Sequence, residues 1–497
     1  MPKLLKTSVL FAAIPLLLAA CAQPGPLAED MRPHDARNDF LPAPANSNFL
    51  PLPDSTTPTD RWTGVLGGAA YRIELPTSQW NGKLVMYAHG YAGTGPNLVV
   101  QDPPIRRYLI DNGYAWAASS YSKNYYDVRA GVEDTNALAL AFNSIAARNG
   151  RPLPAPGKIY IFGRSMGGHI AAAAIEAETL ATANHKVRYD GAVPTCGVLD
   201  DEGLWSYFGG YQLAAQQLAG LPAASLPVSN WPQIVGHVRT MLFNSTTSFA
   251  TPAPQGMVLK DIVMNLTGGA RPMFDQGFAN DSLQNVVWGS FGDDGTIRGM
   301  LNANVVDTRG VRYRFDAPEG VVAAFNASIG KSVPVPDANR LRRDGLRWVP
   351  KVHGDFSVPV LTIHTLGDMY VPFGLEQNYL AHATAKDRAG LLVQRAIRAP
   401  GHCDFTVAEQ AQAFADLARW VEQGVKPAGD DIATAAIVSD PAYGCTFTNN
   451  TVVADDAAAV KAMRVPGKLP ACAAPHNLPG RVDKDGIQRL PLDAKVH

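Results

Sequence analysis

No stretch of this 497-residue chain is crowded with Lys and Arg, and its formal net charge is only −1. A nucleic-acid partner needs a basic face to neutralise phosphates, so that class is excluded. No Cys or His pair has zinc spacing and no acidic loop has the calcium pattern, so no metal is implied. No dinucleotide glycine signature opens a helix after a strand, and no other cofactor is implied either; Gly90 to Gly95 belongs to a different kind of turn. Internal repeats are absent, which excludes solenoids and propellers. The apolar run Val9 to Ala20 falls short of the roughly 20 residues a spanning helix needs. Cysteine is scarce, with five in all, while the apolar fraction of 46% is that of an ordinary globular protein. What remains open is a globular enzyme or binding module acting on a small or oligomeric molecule.

What is present is concentrated at Lys158 to Gly168, Lys-Ile-Tyr-Ile-Phe-Gly-Arg-Ser-Met-Gly-Gly. An apolar strand runs into Gly163-Arg164-Ser165-Met166-Gly167, a G-x-S-x-G signature, and a helical segment follows. A serine hydroxyl is a weak nucleophile until a base takes its proton, and a sharp strand-to-helix turn presents Ser165 where a base can reach it. The same turn aims the Met166 backbone N–H, at a helix start, to where an oxyanion would form.

The base and its orienting acid should follow the serine in the order acid, then histidine. Val358 to Asp368 reads as a buried strand running into a turn, with Asp368 at its C-terminal end and Val371-Pro372 opening a helix. Leu391 to Ile397 reads as the next strand, leading into a loop that carries His402 over the same sheet edge. Other candidates are weaker. His169 is a packed residue of the helix after the elbow, and His364 sits inside a strand, where neutral burial is expected. Asp200 and Asp201 are rival acids at the preceding strand end, and Asp404 is placed to cap the following helix. A second oxyanion donor is the Tyr91 N–H, in the His89-Gly90 turn that ends the strand Leu84 to Ala88.

The elbow, the His-Gly turn, the strand-end aspartate and the late histidine together resemble the α/β-hydrolase superfamily over roughly residues 65–200 and 355–425. Ser165-Met166-Gly167-Gly168 is similar to the elbow of many esterases, lipases and polyester hydrolases. The resemblance implies an α/β fold with a mostly parallel sheet flanked by helices. It implies Ser165 as nucleophile, His402 as general base and acid, Asp368 as orienter, and Tyr91 and Met166 as oxyanion donors. These are the assignments the spacing gives independently. The expected activity is hydrolysis of a small-molecule or oligomeric carboxylic ester through an acyl-enzyme. A serine peptidase, a polyester hydrolase and an acyltransferase stay open as alternatives.

Along the chain, Leu84 to Ala88, Ala115 to Ser119, Ile159 to Phe162, Gly191 to Pro194, Val360 to Ile363 and Leu391 to Ile397 read as buried strands separated by helical segments, the βαβ alternation of a parallel sheet. Val132 to Asn149 reads as a helix stopped by Gly150, and Thr406 to Gly424 as the last core helix. The alternation fails between Gly197 and about Pro350, where the stretch is too long for a loop and must fold as a cap. Its aromatics Trp205, Tyr207, Phe208, Tyr211 and Trp231 are expected chiefly in the cap's own core. Asp275 to Ala303 reads as a mobile rim. The division is therefore 1–21 signal peptide, 22–60 flexible tether that packs on nothing in particular, 61–200 first part of the core, 201–355 cap insertion, 356–425 second part, and 426–497 C-terminal appendage.

A positive start, the Val9 to Ala20 run and Leu18-Ala19-Ala20-Cys21 make the leader a signal peptide. Leu-Ala-Ala-Cys resembles the bacterial lipobox, which implies lipidation of Cys21 and tethering to a periplasmic or outer membrane. Ala20-Cys21-Ala22 also satisfies ordinary cleavage and secretion. That anchor is the one membrane contact expected, and the oligomeric state is not readable. In an exported chain the other four cysteines are expected to oxidise, with three connectivities open. Cys196 and Cys403 both fall at the catalytic sheet edge, so a bridge there would pin the His402 loop, leaving Cys445 to pair with Cys472. Cysteine beside the base also resembles the tannase and feruloyl-esterase branch, where the partner precedes the serine; here Arg164 holds that place.

Overall fold

A computed structural model of the chain describes residues 40–42, 49–222, 230–289, 304–470 and 472, and the backbone of 481–482 and 488–489. The expected signal peptide with Cys21, residues 22–39 and 43–48 of the expected tether, and residues 290–303 of the expected rim lie outside the described residues.

Eight strands form one sheet: β1 (Thr59–Leu66), β2 (Ala69–Pro76), β3 (Lys83–Ala88), β4 (Ala115–Ser119), β5 (Lys158–Arg164), β6 (Gly191–Thr195), β7 (Val360–Thr365) and β8 (Leu392–Ile397). Their order is β8-β7-β6-β5-β3-β4-β2-β1. All pairs from β8 to β4 are parallel, while β2 runs antiparallel to both of its neighbours. Side chains alternate between two cores, as a pleated strand buried on both faces requires. Leu84, Met86, Ala115, Ala117 and Ile161 face one core, shared with helices α2 (Val128–Arg148) and α3 (Met166–Ala174). Val85, Tyr87, Trp116, Tyr160, Phe162 and Val193 face the other, packed by a short helix α1 (Arg106–Asp111) and a long C-terminal helix through Phe414 and Leu417.

This mostly parallel sheet, flanked by helices on both faces, is the α/β-hydrolase fold. The six strands read from the sequence are all in it. The two it adds, β1 and β2, form a hairpin through Gly67 and Gly68, both at positive φ. Helix α2 ends at Gly150 in the left-handed conformation.

The tether reading is corrected where it meets this hairpin. Residues 59 and 60 belong to β1, and Phe49 is buried edge-on against Trp116, beneath the guanidinium groups of Arg72 and Arg106. Arg106 also donates to the Leu50 carbonyl and forms an ion pair with Glu74, a fully buried carboxylate of β2 that takes the Trp116 indole N–H as well. Burying a charge needs such partners, and residues 49–50 complete the cluster.

Between β6 and β7 the chain makes α4 (Asp201–Leu218), α5 (Trp231–Leu242), α6 (Pro254–Leu266), α7 (Asp281–Gly289) and α8 (Glu319–Ser328). Trp205, Tyr207, Phe208 and Tyr211 are buried and Trp231 is half-buried, so most of these aromatics serve packing. The rim reading is corrected over 275–289: Leu283, Val287 and Trp288 of α7 are buried, and Trp288 packs on Tyr211. The core is completed by α9 (Gly374–Ala385) and α10 (Val407–Gln423).

Thr406, rather than Asp404, caps α10: its hydroxyl accepts from Glu409 N while Glu409 accepts from Thr406 N, a reciprocal box that a residue two positions earlier cannot make. The appendage after α10 covers the edge strand β8. Asp430 N–H donates to the Gln394 carbonyl, and its carboxylate accepts from Ala396 N. Arg464 closes on Glu409 in a fully buried pair. Among the described residues no helix is long and apolar enough to cross a membrane.

Candidate active site

The carboxyl ends of β5, β7 and β8 deliver three side chains to one point. Ser165 stands between β5 and α3 at φ 60° and ψ −123°, a conformation rare for a residue with a side chain. Its neighbours explain how the turn closes. A Cβ on Gly163 would lie 1.9 Å from the Gly167 carbonyl oxygen, and one on Gly167 would lie 1.9 Å from that of Ala88. Only glycine allows helix α3 to start so close to the sheet.

Asp368 lies in the turn after β7, fully buried, with one oxygen accepting from the N–H groups of Tyr370 (2.9 Å) and Val371 (3.0 Å). Its other oxygen is 2.6 Å from His402 Nδ1, and His402 Nε2 is 2.7 Å from Ser165 Oγ. A carboxylate accepts only, so Nδ1 carries the hydrogen and Nε2 is left to accept from the serine hydroxyl. The His402 loop is fixed by Thr365, whose hydroxyl donates to the Gly401 carbonyl, and by Gly367 N–H on Ala399.

Cys196, directly after β6, is joined to Cys403, directly after His402; Cys445 is joined to Cys472. The Cys196 and Cys403 sulfurs and a ring nitrogen of His402 lie within 4.8 Å of one another, but both sulfurs are spent in the disulfide and offer no thiolate to a metal. Arg164 Nη2 donates to the Cys403 carbonyl at 3.1 Å, a second tie between elbow and histidine loop.

The His89-Gly90-Tyr91 turn lies against the elbow. A Cβ on Gly90 would be 3.2 Å from Ser165 Cβ and 3.6 Å from Oγ. Met166 N–H opens α3 and has no carbonyl four residues back inside the helix to bond. His89 is buried, and burial lowers its pKa, so the ring is neutral and can donate Nδ1–H to the Gly90 carbonyl at 2.7 Å. Tyr121 stacks on that ring at 4.1 Å and donates its hydroxyl to the His89 carbonyl.

The rival residues have other partners. His169 sits between the Tyr126 hydroxyl and the Pro350 carbonyl, where burial lowers its pKa to about 4. Asp200 caps α4 through Gly203 N, and Asp201 accepts from Val352 N in full burial, which pushes its pKa well up. His364, expected to be neutral, lies between two carboxylates, Glu376 at 3.3 Å and Asp368 at 3.8 Å. Burial alone would lower its pKa, but the carboxylates of Glu376 and Asp368 raise it above the ordinary value.

Reasoning from sequence also passed over Tyr121 and Tyr370, whose ring meets His402 edge-on at 5.3 Å and stacks on Phe208 at 5.9 Å. Tyr370 follows Asp368 by two residues, a proximity that would have flagged it; nothing local marks Tyr121.

No family model matches the chain. Among curated proteins, the o-phthalyl amidase of Xanthobacter agilis is 32% identical over 98 residues, which are 19% of this chain and 22% of that protein. The chain thus matches about a fifth of that relative's length. Among solved structures, feruloyl esterase B from Aspergillus oryzae is 14% identical, with a TM-score of 0.42, over 75% of this chain and 82% of that one. The rice cell wall degrading esterase LipA from Xanthomonas oryzae is 15% identical, with a TM-score of 0.33, over 70% and 81%.

Proposed function

We propose that this α/β-hydrolase-fold protein is a serine hydrolase that cleaves carboxylic esters through an acyl-enzyme on Ser165. The observation that carries the reading is the hydrogen-bonded chain Ser165–His402–Asp368, at 2.7 and 2.6 Å, on a sharp strand-to-helix turn. His402 Nε2 takes the hydroxyl proton as Ser165 Oγ attacks the ester carbonyl, and Asp368 holds the imidazolium that forms. The developing oxyanion is received by the N–H groups of Met166 and Tyr91, which the closeness of Gly90 to Ser165 supports. His402 returns its proton to the departing alcohol, then activates a water that hydrolyses the acyl-enzyme.

The helices between β6 and β7 act as a cap in this reading. Tyr370, half-buried and edge-on to His402, is backed by the buried Phe208 ring, and an aromatic side chain at that place suits a flat or apolar acyl group. Two disulfides support export to an oxidising compartment, in line with the leader and with anchoring or cleavage at Cys21. A second reading, amide hydrolysis, draws on the partial match to an amidase.

The test is turnover of p-nitrophenyl esters from acetate to long chains, beside a p-nitroanilide, by the wild type and by Ser165→Ala. Ester turnover that disappears in Ser165→Ala is expected, with Asp368→Asn losing on the order of 10³ to 10⁴ in kcat. Anilide cleavage without ester cleavage would overturn the ester assignment. Ester turnover surviving in Ser165→Ala would overturn the mechanism.

A further inference from the structure

We infer that His364, held by Glu376, is a positioning residue for the reaction: it places a cationic ring edge behind Asp368 and so sets the pH range over which His402 can act. The inference rests on Ser165, His402 and Asp368 being the reacting set, and it adds a buried layer that such a set does not require.

His364 lies in β7, four residues before Asp368, and is fully buried. Its Nε2 is 2.8 Å from the Val371 carbonyl oxygen, which can only accept, so Nε2 carries a hydrogen. The same nitrogen is 3.8 Å from the Asp368 oxygen that faces His402. Nδ1 on the far side of the ring is 3.3 Å from Glu376 Oε1, within ion-pair distance, and neither atom has a hydrogen-bond partner. Two lone pairs facing each other at that distance in a dry core would repel, so one proton sits between them.

The remaining question is which side keeps it. Glu376 Oε2 accepts from the Thr362 hydroxyl at 2.6 Å and from the Gln394 amide, which fixes the carboxyl group with Oε1 turned to the ring. The ring lies between two carboxylates, Glu376 at 3.3 Å from Nδ1 and Asp368 at 3.8 Å from Nε2, and this arrangement favours the charge on His364, whose pKa the same two groups raise.

The other charged or titratable groups around the cluster do not supply this charge to the same place. Arg271, from the insertion, donates to the Leu366 carbonyl and faces Asp368 alongside Tyr207, whose hydroxyl donates to the Met369 carbonyl. Asp404 faces Asp368 from the histidine loop, while Tyr379 and Tyr443 face Glu376, neutral because burial raises their pKa values. Among the described residues only His364 bridges the two carboxylates. A fixed cation there opposes protonation of His402 and leaves it free to accept a proton at lower pH.

The test replaces Glu376 by its neutral isostere. In Glu376→Gln the amide can donate to Nδ1 and the ring stays neutral, so the ring cation next to Asp368 and the carboxylate charge on its far side are lost together without a change of shape. Two readouts are taken on the full chain. The first needs no substrate: the His402 imidazole titration by NMR of ¹⁵N-histidine protein in a Ser165→Ala background, with and without Glu376→Gln. The second is the acid limb of kcat/KM in the enzyme that keeps Ser165. Both are expected to move up by on the order of one pH unit, with plateau activity within about tenfold. His364→Gln, which removes the ring, should move them the same way if Glu376→Gln folds poorly. An NMR midpoint that does not move in either variant would overturn the inference, whatever happens to Tm. A midpoint that moves in a protein that hydrolyses no ester would keep the inference and remove the proposed function.

Discussion

Replacing Cys196 and Cys403 together by alanine should damage the site more than the fold, and the matching removal of Cys445 and Cys472 should do the reverse. The Cys196–Cys403 bridge spans 207 residues, so the chain-entropy estimate puts its stabilisation at about 5 kcal/mol. The Cys445–Cys472 bridge spans 27 residues, for about 3.5 kcal/mol by the same relation. The two losses of stability thus differ by only about 2 kcal/mol, and in stability alone the first bridge would simply count as the larger. Position separates them. Cys403 follows His402 directly and is held at φ 60°, and once the bridge is gone the one remaining tie to the elbow at this residue is the Arg164 guanidinium on its carbonyl. If the loop relaxes so that His402 Nε2 shifts by about 1 Å from Ser165 Oγ, turnover falls by about 100-fold. The assay is urea denaturation of both double variants beside ester hydrolysis measured well inside each folded baseline. Equal specific activity in the two folded variants would refute the reasoning, since the bridge at Cys403 would then act through chain entropy alone.

Two further outcomes are expected. His169 is neutral when folded, with a pKa lowered to about 4, whereas in the unfolded chain it titrates near 6.5. The unfolded state therefore binds the extra proton between those values, and wild-type stability should fall by up to about 3 kcal/mol as pH drops from about 6.5 to 4; in His169→Gln, denaturation at pH 4.5 and 7 should show a slope smaller by about one proton, and an unchanged slope would reject the assignment. Gly167→Ala puts a Cβ 1.9 Å from the Ala88 carbonyl, a backbone atom that cannot swing away, and should cost the upper end of about 1–3 kcal/mol with loss of activity, while Gly236→Ala in α5, where a Cβ meets nothing within 4 Å, should be neutral or slightly stabilising; similar Tm values for the two would count against the close-packed elbow.

The sequence is legible where a local pattern and a burial pattern coincide. Strands β3 to β6 are apolar on both faces, so each appears as a short continuous run; β7 and β8, despite Thr362, His364, Gln394 and Arg395, keep apolar residues on both sides of Thr362 and of Gln394-Arg395, and Thr406 and Gly424 mark both ends of α10. β1 and β2 were hidden because polar residues interrupt them: Asp60 and Arg61 in the first, Arg72 and Glu74 in the second. Glu74 looks like a surface residue until Arg106 and Trp116 are brought to it across more than thirty positions. The Gly67-Gly68 pair was the available hairpin signal. At the site, Ser165, Asp368 and His402 can be named from strand ends. Glu376 as the partner of His364 cannot, since nothing in an apolar strand shows that the fold will set that carboxylate beside its histidine from the following helix.

The backbone at this sheet edge shows a common device behind these features. Tyr121 after β4, Ser165 after β5, Cys196 after β6 and Cys403 in the loop after β8 all have φ between 43° and 60°, although none is glycine. Such residues cost on the order of 1–3 kcal/mol each and persist only when their surroundings over-determine them. Each is pinned in a different way. The Tyr121 hydroxyl donates to the His89 carbonyl, Ser165 N–H donates to Thr195, Cys196 N–H donates to Ile363, and the disulfide joins the third residue to the fourth. The parallel ladder therefore holds the strained residues, and they in turn fix the His-Gly turn, the serine and the histidine loop. Strain accepted on folding leaves these turns little freedom to reorganise, and in the proposed reaction that is the condition under which aligned N–H groups act most strongly on charge developing at Ser165.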